Sequence, residues 1–286
     1  MKTINLKNIR RSIALVSDTH VYSDYALIPR EPLYTWKDPD PRWINPPEVL
    51  SNGQKILQGY WYDKWLPVCD EFNVDTVIHF GDATQGCNPK EGGIDVLTPD
   101  LDYQLDAAEA LMRPLVKDRT YHQFSGSKYH EALNTRIHRE LFNRLKSTTK
   151  KNSRFWNKFG NIKLTGTNKI LNCAHAATSA LIYPAAVIDR ELVFIKVAVA
   201  EGKIPMPDYM IRGHLHRYLH LDYPDIHGIQ LPGWMSWYAL ADKVRLYGRT
   251  QPDIGFVMLL IDKLDRTILL HFIYPTPKIV DFLTEG

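Results

Sequence analysis

Five short runs in this 286-residue chain each lead into an aspartate or a histidine. Ile13 to Val16 leads into Asp18-Thr19-His20, and Val74 to Phe80 into Gly81-Asp82. Arg119 to Ser125, the most polar of the five, leads into Gly126 and then His130-Glu131. Lys169 to Cys173 leads into His175, and Tyr209 to Arg212 into Gly213-His214-Leu215-His216. Short apolar runs rich in β-branched residues suit strands buried on both faces. In open α/β sheets, ligands bind just beyond the C-terminal ends of such strands. The pattern therefore restricts the chain to an α/β architecture with its chemistry on one sheet edge.

Helical stripes alternate with these strands. Leu57, Trp61, Trp65, Val68 and Phe72 recur every three or four residues, as do Leu133, Ile137, Leu141 and Leu145, and Leu192, Ile195 and Val199. That spacing marks core faces, and no functional role is assigned to them. Phe256 to Ile261 and Ile268 to Ile273 flank a polar turn and read as a hairpin. No internal repeat or strong boundary appears, so residues 1–286 are expected to form one domain. Two segments read as insertions: an aromatic and proline-rich loop over 21–49 and a basic loop over 146–160.

The net charge of +3 argues against a global field for nucleic acid or membrane, so any basic patch is local. The three cysteines, Cys69, Cys87 and Cys173, cannot all pair within one chain and show no C-x-x-C spacing. A reduced, cytoplasmic setting is expected. The apolar run near the N-terminus is too short for a signal-peptide core, and no stretch reaches the ~20 apolar residues of a membrane helix.

Asp-x-His and Gly-Asp are weak signals singly, since both suit ordinary turns. Gly213-His214-Leu215-His216 is more specific: two imidazoles two residues apart project to one side of an extended segment. Mixed carboxylate and imidazole donors suit Mn, Fe or Zn better than Ca, and the absence of cysteine from the set argues against a structural zinc. Taken in order, the five motifs resemble the calcineurin-like metallophosphoesterase family from Asp18 to His216.

The resemblance implies a four-layer α/β/β/α sandwich and a centre for two divalent metal ions (Mn, Fe or Zn). It implies that Asp18, His20 and His216 bind one ion, that Asp82 bridges both, and that His175 and His214 bind the second. The implied reaction is hydrolysis of a phosphate ester, with in-line attack by a metal-bridging hydroxide. His130 would be the catalytic residue, stabilising the phosphoryl charge or protonating the leaving oxygen. The family has Gly-Asn-His at the third motif, where this chain reads Gly126-Ser127-Lys128-Tyr129-His130. That leaves the metal-binding place of the Asn to Ser127 or to water. Ser127 is alternatively a helix cap, and Lys128 either a phosphate contact or a solvated side chain. Gln85 stands where the family has a second Asp after Gly-Asp.

For the substrate, Tyr22 and Trp36 in the 21–49 segment are candidates to stack a base, against the alternative of a loop packed by its own aromatics. Basic residues interleaved with Phe155 and Trp156, and a third cluster around Trp234, lean the reading toward a phosphodiester of nucleic-acid or nucleotide type. The rival reading is a catalytically weakened relative that serves as a nucleic-acid- or protein-binding module.

Overall fold

A computed structural model describes residues 4–30, 50–89, 92–93, 95–131, 136–175, 184–236 and 252–276. Among these residues, eleven strands form two mixed sheets. The first runs β11 (Thr267–Tyr274), β10 (Ile254–Asp262), β1 (Ile9–Val16), β2 (Thr76–His79), β3 (Thr120–Phe124), β4 (Arg154–Trp156). Within it β1 to β4 are parallel, and the β10–β11 hairpin adds antiparallel to β1. The second runs β5 (Phe159–Lys163), β6 (Ile170–Ala174), β7 (Tyr209–Arg212), β9 (His227–Gln230), β8 (Leu219–Asp222). There β6, β7 and β9 are parallel, and β5 and β8 are antiparallel edges.

The alternation of strand side chains builds the layers. On β1, Ile13 and Leu15 enter an apolar seam between the sheets with Ile78, Phe80 and Phe124, opposite Leu171, Cys173, Ile211 and Ile229. Ala14 and Val16 face the other way, with Tyr121, Phe256 and Met258, into a second core under the helices. Those helices are α1 (Asn52–Gln58), α2 (Leu66–Glu71), α3 (Leu101–Val116) and α4 (Arg136–Lys146). On the outer face of the second sheet, α5 (Pro184–Ala200) packs Ile188 and Leu192 against Met210. The layers are thus helix, sheet, sheet, helix, as expected.

The three expected helical stripes and the hairpin are present, although Leu133 lies outside the described residues. Between α1 and α2 the helix widens into a π-helical segment, Gly59–Trp65. Pro67 follows at once; it lacks an N–H and crowds the carbonyl four residues back, which accounts for the wider register. The widening seats Trp61 and Trp65 edge to face, with Trp234 against both.

Two expectations need correction. The 146–160 segment is not a basic loop but carries β4, paired in parallel with β3. Trp156 stacks on Phe124, Phe155 tilts against Phe142, and the Arg154 guanidinium lies 4.2 Å from the Trp156 ring centroid, so the aromatic-basic interleaving of Arg154, Phe155 and Trp156 belongs to a sheet edge. Trp234, the centre of the third cluster that leaned the reading toward nucleic acid, is fully buried. The helix α3, capped by the Asp100 carboxylate on the amides of Asp102 and Tyr103, was not anticipated. Among the described residues no helix is long and apolar enough to cross a membrane.

Trp61→Ala removes a fully buried indole from the three-tryptophan cluster. It should destabilise the fold by about 3–5 kcal/mol in equilibrium urea unfolding.

Candidate metal centre

The five motifs converge where the C-terminal ends of β1, β2 and β3 meet those of β6 and β7. Main-chain bonds stitch the loops together: the amide of Asp18 donates to the Gly81 carbonyl (3.1 Å), that of His20 to Asp82 (3.0 Å), and that of Trp234 to Asp18 (2.9 Å). The turns are tight. Asp18, His20, Asp82, His214 and His216 all adopt positive φ, between 43° and 82°. For residues other than glycine this costs about 1–3 kcal/mol each and is retained where surrounding structure enforces it, commonly at functional sites.

Candidate donor atoms fall into three overlapping groups, each within 4.8 Å: Asp18, His20 and His216; Asp18, Asp82, His175 and His214; and His20, Asp82 and His130. Both carboxylates thus stand at the junction between groups. In the first group, His20 Nε2 and His216 Nε2 are 3.1 Å apart. Asp18 Oδ1 lies 3.3 Å from His216 Nε2 and 3.7 Å from His20 Nε2, yet is buried without a hydrogen bond. In the second, His175 Nε2 lies 3.0 Å from Asp82 Oδ2 and 3.1 Å from His214 Nδ1. Two buried carboxylates and a ring of imidazole nitrogens fit divalent Zn, Mn or Fe. The unpartnered Asp18 oxygen is the group a cation would satisfy.

The imidazoles are set by what their other nitrogens touch, as metal-binding histidines usually are. His20 Nδ1 lies 2.9 Å from Gln85 Oε1, and Gln85 Nε2 donates to Asp95 at 2.7 Å. Asp95 thereby fixes the Gln85 amide, which in turn keeps the proton on His20 Nδ1 and the lone pair on Nε2. His175 Nδ1 donates to the Phe80 carbonyl (2.7 Å) and His130 Nδ1 to the Gln85 carbonyl (2.8 Å). Sequence reasoning had given Gln85 no role and had not singled out Asp95. The one available signal was their position on the loop after Gly81-Asp82.

The third motif is a main-chain cradle. The Ser127 amide donates to Asp82 Oδ1 at 2.7 Å, and a Cβ on Gly126 would overlap that same oxygen. Ser127 Oγ is buried without a hydrogen-bond partner, while Lys128 is exposed, with its ammonium 5.2 Å from the Tyr129 ring centroid. Glu131 braces the loop: its Oε1 accepts from the Gly126 amide and from His138 Nδ1, both at 2.6 Å, and His138 Nε2 accepts from the Ala83 amide. His138 is therefore a brace that spacing did not reveal. His79 is satisfied in the core, between the Gly81 amide and Thr19.

Tyr22 is not presented to a substrate. Main-chain bridges from Val21 to Thr84 and from Ser23 to Val96 pin its segment down, and the ring is 5% exposed in the helix-side core. Trp36 lies outside the described residues, as does most of the 21–49 segment. His220 pairs with His227, away from these groups.

Charge is distributed unevenly. Burial opposes ionisation of Asp18 and Asp82, but His216 beside Asp18 and His175 beside Asp82 outweigh it and hold both carboxyls well below their usual range. Burial pushes His130 down to about 4, against the pull of Asp82. His175 moves the other way: burial is overcome by Asp82 and Asp18, and the ring is raised to about 9.

At the level of sequence, no family model and no curated protein matches the chain. The structure is similar to that of a novel archaeal phosphodiesterase, at 12% identity and a TM-score of 0.44, covering 91% of this chain and 99% of that one. It is similar to Vps29 of Entamoeba histolytica complexed with zinc, at 12% identity and a TM-score of 0.36, covering 92% and 98%. It is also similar to a predicted phosphoesterase of Streptococcus pneumoniae, at 11% identity and a TM-score of 0.35, covering 92% and 98%.

Three outcomes follow. In the metal-free protein the protonated His175–Asp82 pair stabilises the fold fully below about pH 6.5, and that contribution is lost as pH rises through about 9. Metal uptake must displace the proton. At neutral pH binding should release protons, and affinity should strengthen toward about pH 9. Calorimetry in buffers of different ionisation enthalpy measures this, and heats independent of buffer would contradict it. Gly126→Ala should displace the Asp82 carboxylate and weaken Mn²⁺ uptake, measured by equilibrium dialysis, at least tenfold, on the order of other changes around metal ligands.

Proposed function

We propose that the chain is a metal-dependent phosphoesterase. The observation that carries this reading is the meeting of two charged, buried carboxylates with five imidazoles, where Asp18, His20, Asp82, His214 and His216 are held in left-handed backbone. Asp18, His20 and His216 would hold one ion and His175 and His214 the second, with Asp82 available to both. Bound there, the ions supply Lewis acidity to the phosphoryl oxygens and lower the pKa of a coordinated water toward neutrality.

The chain's own groups orient this chemistry. The Ser127 amide fixes one oxygen of Asp82. Gln85 and the Phe80 carbonyl hold His20 and His175 in the tautomers that offer Nε2 as donor. His130, with Nδ1 committed to the Gln85 carbonyl, keeps Nε2 for proton transfer. The negative charge of a bound phosphate ester raises the basicity of that imidazole, so that a proton taken up at Nε2 is passed to the leaving oxygen.

The substrate class is a phosphate ester. For the finer lean toward a nucleic-acid or nucleotide phosphodiester, the aromatic support is weaker than the sequence suggested, because Tyr22 and Trp234 are core residues and Trp156 stacks within the sheet. A diester remains the first substrate to test. The rival binding module rests on the altered third motif alone. It does not account for five strained candidate ligands, since a scaffold has no need to retain them.

With Mn²⁺ and bis(p-nitrophenyl) phosphate, the wild-type protein should turn over and Asp82→Asn should lose nearly all metal-dependent activity. His130→Ala should bind metal normally and lose about 10²–10⁴-fold in turnover. If His130→Ala instead empties the centre, His130 is a ligand and its assigned role is wrong. A fully loaded but inert wild type would favour the binding module.

A further inference from the structure

A second constellation of ligand atoms lies on the β8–β9 hairpin, at the edge of the second sheet. Asp222 and His227 are directly paired across the two strands, and His220 is two residues from Asp222 on the same strand. Side chains two apart on a strand share a face, so the three project together. Leu221, between them, turns the other way to pack under α5, which leaves His220 and Asp222 exposed.

The donor spacing is the informative quantity. His220 Nε2 lies 3.3 Å from His227 Nδ1, and His227 Nδ1 lies 2.9 Å from Asp222 Oδ1. All three donor atoms fall within 4.8 Å of one another. Two nitrogen ligands at ~2.0–2.1 Å from a tetrahedral zinc are about 3.3–3.4 Å apart. A proton on His227 Nδ1 serves this arrangement only as a bond shared between a carboxylate and a second imidazole, whereas one divalent cation serves all three donors. The site is also preorganised. The His227 ring stacks on Tyr209, with centroids 4.7 Å apart and planes at 15°, and the Tyr209 hydroxyl donates to Thr267 of the opposite sheet at 2.6 Å. His227 is thereby held in one orientation by a residue anchored to both sheets.

We propose that His220, Asp222 and His227 form a separate exposed site for one zinc-class divalent ion, with a coordination position open to solvent. Two imidazoles and one carboxylate favour zinc, with nickel and copper as competitors of the same class. A bound ion ties the edge strand β8 to β9, the neighbour of β7, whose C-terminal end leads into His214 and His216. The site is independent of the hydrolase reading, because none of its three residues belongs to the groups around Asp18 and Asp82.

Zn²⁺ alone is the probe, added to the full-length, metal-stripped protein. By calorimetry and by metal analysis after dialysis, the wild type should take up one equivalent more than His220→Ala/His227→Ala. The double variant should keep its circular dichroism and whatever uptake the first centre shows. In the wild type, the imidazole NMR signals of His220 and His227 should move together with the same equivalent. Equal stoichiometry in the two proteins overturns the proposal, as does an additional equivalent that binds only at millimolar Zn²⁺. Asp222→Asn, which keeps shape and removes charge, should weaken that one equivalent alone; no change in its affinity would show that the carboxylate is not a ligand.

Discussion

Keeping two carboxylates charged and buried where the sheets meet is the constraint on which the rest of this structure depends. Asp18 and Asp82 have essentially no exposed surface. Burying an ion costs several kcal/mol unless charge-assisted hydrogen bonds or counter-charges offset it. Here the main chain supplies part of the offset: the His214 amide donates to Asp18 at 2.8 Å and the Ser127 amide to Asp82 at 2.7 Å. The amides can reach because His214 is bent into the left-handed region and because Gly126 and Gly213 have no side chain to block the approach. Strain in the backbone and charge in the side chains are two aspects of one arrangement.

That arrangement is braced from a distance. Asp95 fixes Gln85, and Gln85 fixes His20; Gln104 on α3 clamps both main-chain groups of Gly86. Glu131 and His138 lock the third motif to the Gly81-Asp82 loop. Arg212, buried at the end of β7, pairs with Glu191 of α5 at 2.5 Å. Elements from both outer layers therefore converge on the centre. Its geometry is a property of the whole sandwich and not of five separate loops.

Much of this was legible in the sequence, for a definable reason. Strands buried on both faces produce unbroken apolar runs, and the Asp and His residues that end them stand out against that background. Tyr209 to Arg212 has its observed bounds, the strands before Asp82, His130 and His175 lie within two residues of theirs, and β1 begins four residues before Ile13 because its first half is polar. The misreadings share a cause as well. Aromatic residues interleaved with arginine and lysine look alike in a nucleic-acid groove and at a sheet edge, where each apolar face packs inward and each charge points out. Only burial separates the two, and it places Trp234 in the helix-side core and Trp156 beside Phe124. The β8 strand escaped notice because Leu219-His220-Leu221-Asp222 alternates over only four residues.

By itself the sequence determined the α/β class of the fold, because strand periodicity is a local property of a chain, and through its motifs' resemblance to a family it pointed to the candidate ligands. Tertiary structure decided which of them meet. It joined Asp18 to His216 across almost two hundred positions, because two sheets had to pack their apolar faces before their ends could align. It also chose Gln85, Asp95 and His138 as braces and drew His220 and His227 into a site of their own. Those choices depend on distances between strands, and such distances exist only after the layers have closed.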